Sequence, residues 1–177
     1  MEQIRLAKKK DATFIALVGR ITFMETFGHL FTDKEGLQTY LNKTFAVDKI
    51  KKSLEKKNNV YWIAFVDKLP VGYAKLKLKS GCPFINETNI GQLQKIYVLH
   101  DFISMKIGKR LQDLLIQKVM ENGREKIWLS VYVGNKRAIA FYEKNGYKIV
   151  GRHQFSIGRD SFDFLAMAKA LYPSTWR

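Results

Sequence analysis

Late in the chain, the stretch "GNKRAIAFYEKNGYK" (residues 134–148) puts an amide and a phenol at a spacing that suits chemistry. At about 100° per residue, Asn135, Ala138 and Tyr142 fall close to one line along a helix, so both polar groups would face one neighbour. A phenol with a reference pKa of about 10 stays protonated at neutral pH and can give a proton to a departing anion. The same residues also have a purely structural use. Asn135 is a good N-cap, and Phe141 and Tyr142 are good core contacts. Asn145 with Gly146 would supply the left-handed residues that end the helix before "YKIVG".

A second stretch, "HDFISMKIGKRL" (residues 100–111), runs from a strand-like segment into a helix. A loop entering a helix N-terminus offers unpaired backbone N–H groups and the positive end of the helix dipole, where phosphate oxygens bind. Lys106, Lys109 and Arg110 either strengthen such an anion site or simply solvate the helix. The stretch is not a nucleotide triphosphatase loop. It lacks that motif's first glycine, and no Ser or Thr follows Gly108-Lys109.

The elements that must position these residues follow one another with short connections. "QIRLA" suits a first strand, and Asp11 is a candidate cap for a helix with Phe14, Leu17, Val18, Ile21 and Met24 inward. Further helices carry Leu37, Tyr40, Leu41 and Phe45, and then Ile50 and Leu54 after Asp48. "NVYWIAFVD" and "VGYAKLKLKS" form a hairpin, with Ala74, Leu76 and Leu78 on one face and Tyr73, Lys75 and Lys77 on a wet one. "GQLQKIYVL" is the next strand. Ile107, Leu111, Leu114, Leu115 and Val119 make the stripe of a long helix ended by Asn122 and Gly123. "KIWLSVYV", "YKIVGRHQF" and "SFDFLAMAKA" complete one sheet. Helices mixed with largely sequential strands indicate an α/β or α+β fold.

A length of 177 residues fits one domain, 1–177. The single cysteine, Cys82, allows no internal disulfide, and the longest solid apolar run, "WIAFV", is far short of a membrane span. A soluble, cytoplasmic protein is expected. Lys and Arg number 31 against 16 Asp and Glu, a formal charge of +15 that attracts anions without naming one. Scattered lysines also read as solvated faces.

Strand "LQKIYVL", loop "HDFISMKIGKRL", strand "IWLSVYV" and helix "NKRAIAFYEKNGYK" together resemble the GNAT superfamily of acetyl-CoA-dependent N-acetyltransferases. With "ETF" (25–27), "VGYAKL" (71–76) and "MAKAL" (167–171), the chain is more closely similar to the PaiA-type polyamine acetyltransferases over nearly its full length. The family's phosphate pattern is Arg or Gln, two residues, Gly, one residue, then Gly or Ala. Here Ile103, Lys106 and Gly108 take those places, and a non-glycine at 106 suits the loop if its φ is negative.

The resemblance implies a mostly antiparallel mixed sheet with two strands splayed at the cofactor site. It implies acetyl-CoA as cosubstrate, with Tyr97 and Val98 giving backbone contacts to the pantetheine arm and an N–H of that strand polarising the thioester oxygen. Ser104, Met105, Lys106, Ile107, Gly108 and Lys109 would hold the pyrophosphate. Asn135 would bond to the pantetheine, and Tyr142 would stand beside the sulfur as the catalytic residue. Glu25 is the candidate for binding the amine, while His100 and His153 read as solvent-facing and no general base stands out. No metal is implied. The expected partners are acetyl-CoA and a small primary amine such as spermidine or spermine, with peptide amines as rivals. No membrane or nucleic acid is among them, and a homodimer stays open. A basic, non-catalytic regulator binding nucleic acid or a protein is the alternative, although no helix-turn-helix or RNA-stacking motif is present.

Overall fold

A computed structural model describes residues 1–171; the last part of the expected domain, residues 172–177, lies outside the described residues. The chain runs β1 (Glu2–Leu6), α1 (Ala12–Phe27), α2 (Lys34–Thr44), α3 (Val47–Leu54), β2 (Asn59–Val66), β3 (Leu69–Lys77) and β4 (Gly91–Val98). It continues as α4 (Ile107–Glu121), β5 (Lys126–Tyr132), α5 (Lys136–Lys144), β6 (Lys148–Ile157) and β7 (Asp160–Ala170). The strands form one mixed sheet in the order β1-β2-β3-β4-β5-β7-β6. Every neighbouring pair is antiparallel except β4 and β5.

Strand alternation sends side chains to two helical layers. Trp62, Ala64, Ala74, Leu76, Leu129 and Met167 face one layer, where they pack with Ile107, Leu111, Leu115 and Val119 of α4 and with Tyr142 of α5. Tyr61, Ile63 and Tyr73 face the other, against Ile15 and Val18 of α1 and Ile50 of α3. Phe23, Leu37, Leu41, Phe45 and Ile157 extend this second layer toward the β6–β7 end. The α4 stripe is as expected from its period, and Gly123 at φ 67° ends the helix.

Two expectations fail on this second layer. The α1 stripe is inverted: Phe14, Leu17, Ile21 and Met24 are 40%, 52%, 39% and 44% exposed, and of the expected set only Val18 is buried. The helix is apolar all round, so its period does not choose a face. The small residues choose it, because a Cβ on Gly19 would lie 2.5 Å from the Phe45 ring, and the narrow side is the one that can lie against the sheet. The expected wet face of β3 is covered for the same reason. Tyr73 is buried and Lys75 half-buried beneath α1 and α3.

Asp11 stands at the N-cap position of α1, but its carboxylate is used elsewhere. It accepts both Arg5 nitrogens (2.7 and 2.8 Å) and the Lys8 amide (2.7 Å), and the guanidinium holds its pKa below the usual value. At the other terminating residues, Gly146 has φ 86°, whereas Asn145 is not left-handed (φ −93°).

Candidate active site

β4 and β5 are hydrogen-bonded only at Gly91–Ile127 and Gln92–Trp128. Beyond that point β4 stays paired with β3 as far as Val98, and β5 stays paired with β7 as far as Tyr132. The two strands therefore part in mid-sheet with facing backbone edges unbonded to each other. A bulge contributes to the parting: Lys75 opposes Lys95 and Leu76 opposes Leu93, which leaves Gln94 as the extra residue of β4. The Gln94 Oε1 is buried without a hydrogen-bond partner among the described residues.

Three structures converge on this gap. A 3-10 turn over 100–105 carries Ser104 and Met105 on its exposed surface and leads from β4 into α4, where the Lys109 amide already donates to the Lys106 carbonyl (3.1 Å) and the Ile107 and Gly108 amides have no backbone acceptor among the described residues. Gly108 lies beside β4, and a Cβ there would meet only Val98 Cγ2 at 4.0 Å. The fold itself therefore does not require glycine at 108, and the bare backbone leaves space next to the strand. From α5, Asn135 caps the helix by accepting the Ala138 amide at 3.1 Å, and Tyr142 stands in the core between Phe141 and Tyr147, with ring centroids 5.4 and 5.5 Å away.

Tyr142 is 6% exposed, and burial, aided by the nearby Tyr97, pushes its phenol well above its ordinary pKa. Burial does the same to Tyr97. The two phenols approach from opposite sides of the sheet, Tyr142 from the α4–α5 layer and Tyr97 from the α1–α2 layer, where its ring lies 5.6 Å from Tyr73. Both stay protonated across the neutral range.

A sheet parted beside a helix N-terminus is matched by sequence. The profile of the acetyltransferase (GNAT) family covers residues 23–147. The chain belongs to the GNAT family. It is 27% identical over 168 residues to an uncharacterized N-acetyltransferase of Lactobacillus delbrueckii subsp. lactis, covering 95% of this chain and 96% of that one. It is 23% identical over 152 residues to the spermidine N(1)-acetyltransferase of Thermoplasma acidophilum, covering 83% and 88%. The PaiA N-acetyltransferase of Thermoplasma acidophilum, solved in complex with coenzyme A, has the same fold at a TM-score of 0.76 with 20% identity, over 96% and 99% of the two chains. The PaiA-type resemblance is thus supported, and the protein is an acetyl-CoA-dependent GNAT N-acetyltransferase.

Within this GNAT site some sequence expectations need correction. Lys106 does not have a negative φ: it is left-handed at φ 58°, a conformation that costs a side-chain-bearing residue roughly 1 kcal/mol or more. Of the three basic residues near the α4 start, Lys109 is paired with Asp113 and Arg110 with Glu2, so Lys106 alone among them has no carboxylate partner among the described residues. Glu25 is exposed in the last turn of α1, and its Oε2 accepts the His100 amide at 3.1 Å, which fixes it at the exit of β4. His100 is solvent-facing as expected. His153 is not: it is half-buried, stacks on Phe164 (5.7 Å, 21°) and has Nε2 at 2.9 Å from Ser130 Oγ on β5.

The residues that sequence reasoning passed over are Lys75 and Lys95. They are cross-strand partners on the face of Tyr61, Tyr73 and Tyr97. Burial and the neighbouring lysines push Lys75 down to about 8, and burial also lowers Lys95. The available signal was the alternation that places Lys75 with Tyr73 and Lys95 with Tyr97.

Proposed function

We propose that residues 1–177 form one acetyltransferase domain that moves the acetyl group of acetyl-CoA to a primary amine by direct attack in a ternary complex. The observation that carries this reading is the parting of β4 and β5 beside the α4 N-terminus. The unbonded β4 edge at Tyr97 and Val98 suits an extended pantetheine arm, which would pair with it much as another strand would, and one of its N–H groups would polarise the thioester oxygen. Residues 104–109 hold the pyrophosphate through helix-start amides, and the Lys106 ammonium adds charge there. Bound acetyl-CoA supplies the activated acetyl carbonyl.

The neutral amine nitrogen forms the new C–N bond at that carbonyl carbon, and the C–S bond breaks. Tyr142 gives its proton to the departing thiolate, while the attacking nitrogen sheds one to solvent. Its raised pKa, caused by burial, keeps the phenol in the donating form. A cytoplasmic setting is supported by the single cysteine, and among the described residues no helix is long and apolar enough to cross a membrane.

A polyamine acceptor, spermidine or spermine, is supported by the name of the Thermoplasma relative and by Glu25, an acid fixed where β4 ends. A specific observation favours a second reading of the acceptor's remaining charge. The face from which the amine must arrive carries lysines in place of the acids a polycation needs.

Free-thiol release from acetyl-CoA over a panel of polyamines, alkylamines, amino acids and peptides tests the activity. Saturable acetyl-CoA binding with thiol release on at least one primary amine is expected; saturable binding with no release on any primary amine sinks the transfer reading. Asn135→Ala should cost about 1 kcal/mol of stability through loss of the cap. It should also raise the KM for acetyl-CoA. A changed melting temperature with an unchanged KM would reduce Asn135 to a cap.

A further inference from the structure

The cofactor side of the gap is the α4–α5 side, because the helix-start amides and Tyr142 lie there. The amine must therefore reach the thioester from the opposite face, onto which Lys95 and Tyr97 of β4 project beside Tyr73 of β3. On that face the Lys95 ammonium lies over the Phe45 ring (5.1 Å) and the Tyr97 ring (5.3 Å), and the Lys75 ammonium lies over Tyr61 (5.4 Å). A cavity of about 40 Å³ is lined by Lys49, Lys95, Thr44, Ser53, Tyr61 and Tyr73 among others; Lys75 is not in its wall and reaches it only through the Tyr61 ring that it covers.

No acid answers these cations. The carboxylates of α3 and its exit, Asp48 and Glu55, are taken by Lys51 and Lys9. Among the described residues Lys49, Lys75 and Lys95 form no ion pair. Lys56 and Lys77 are also near enough to Lys75 to repel it. Aromatic faces offset part of the cost of burying the two ammonium groups, but like charges gathered beneath a helix layer still destabilise the fold until an anion arrives. The cavity has room for roughly two or three water-sized groups, enough for the head of an oxyanion, with hydroxyls as well as ammonium groups to bond it.

We propose that Lys75, Lys95 and Lys49 form an anion subsite of the acceptor pocket, and that the amine acetylated by this protein carries a carboxylate or phosphate group. This rests on the acetyl-transfer reading above. The spacing sets the acceptor's length. Lys95 lies two residues before Tyr97, about 7 Å along the strand, and Lys75 is about 5 Å further across the ladder. An amine at the gap with its anion in the subsite is therefore an ω-amino acid or aminoalkyl phosphate with a chain of several carbons. An α-amino acid held by its own α-carboxylate is too short. Glu25, near the gap, would attract the ammonium end of the same zwitterion.

The test compares four acceptors with one amine and one chain length: 5-aminopentanoate, 5-aminopentyl phosphate, pentylamine and 1,5-diaminopentane. Thiol release from acetyl-CoA should give a kcat/KM about 10–100-fold higher for at least one anionic acceptor than for pentylamine, the effect of one or two charge-assisted hydrogen bonds. The diamine should be the poorest. Which anionic acceptor leads identifies carboxylate or phosphate as the natural group. Lys95→Gln should collapse that preference through the KM of the anionic acceptors, and Lys95→Arg should restore part of it. A diamine acetylated best, or a Lys95→Gln protein that loses activity equally on all four, overturns the proposal while leaving acetyl transfer standing.

A second readout does not depend on turnover. With coenzyme A saturating, inorganic phosphate should raise the melting temperature of the wild type more than that of the Lys75→Gln/Lys95→Gln protein. An equal shift in both means that the lysines bind no anion, and the subsite falls even if an amine substrate has been found.

Discussion

Tyr142→Phe should lower kcat by about 100-fold while leaving the Kd for acetyl-CoA within about twofold of the parent. The ring is the part of Tyr142 that packs, against Phe141 and Tyr147 in the α4–α5 core, and phenylalanine keeps that ring. The hydroxyl is the part assigned to chemistry. Its pKa is raised because burial disfavours the phenolate and Tyr97 adds to the effect, so at neutral pH a proton is always present to give. Phenylalanine offers none, and the thiolate must leave unassisted or draw a proton from water. Single-turnover thiol release beside calorimetric titration of acetyl-CoA separates the two quantities. A variant that turns over like the parent removes Tyr142 from this role, and one that loses cofactor affinity as well shows that the phenol positions the cofactor.

How much of this fold is legible in the sequence depends on whether the signal is local. The α4 stripe was readable because Leu111, Leu115 and Val119 recur at the helical period with polar residues between them. α1 was not, because Phe14, Leu17, Ile21 and Met24 are as apolar as the residues that do face inward, and the choice rests on Gly19 meeting Phe45 from the turn that ends α2. Alternation along β3 correctly separated Ala74 and Leu76 from Tyr73 and Lys75. It could not tell that the second set lies beneath helices, since burial of a strand face is decided by elements far away in sequence. The Asn135 cap and the helix that carries Tyr142 were legible because their spacing along one helix is local. The gap between β4 and β5 is a property of two strands separated by a whole helix, and the resemblance to a family supplied it. The left-handed Lys106 is of the same kind, a backbone state imposed where a 3-10 turn must swing into α4.

Leu115→Ala should destabilise the fold by about 3 kcal/mol, a fall in melting temperature of roughly 6–12 °C for a chain of this size. Leu115 is 0% exposed and packs in the largest core cluster with Leu111, Val119, Leu93 and Leu129, so the lost methyls leave a void between α4 and the sheet. The α1 counterpart is Leu17→Ala, where a 52% exposed side chain is trimmed and a change within about 0.5 kcal/mol is expected. Chemical unfolding of both variants tests the burial pattern directly. Equal losses at the two sites would mean that α1 buries Leu17 rather than exposing it. The functional corollary concerns the start of α4. Leu115 lies two turns beyond Ile107, so below its melting temperature the variant should keep the parent's KM for acetyl-CoA. A raised KM would mean that the packing of the whole helix sets the position of its first amides, coupling the stability of this core to the proposed phosphate loop.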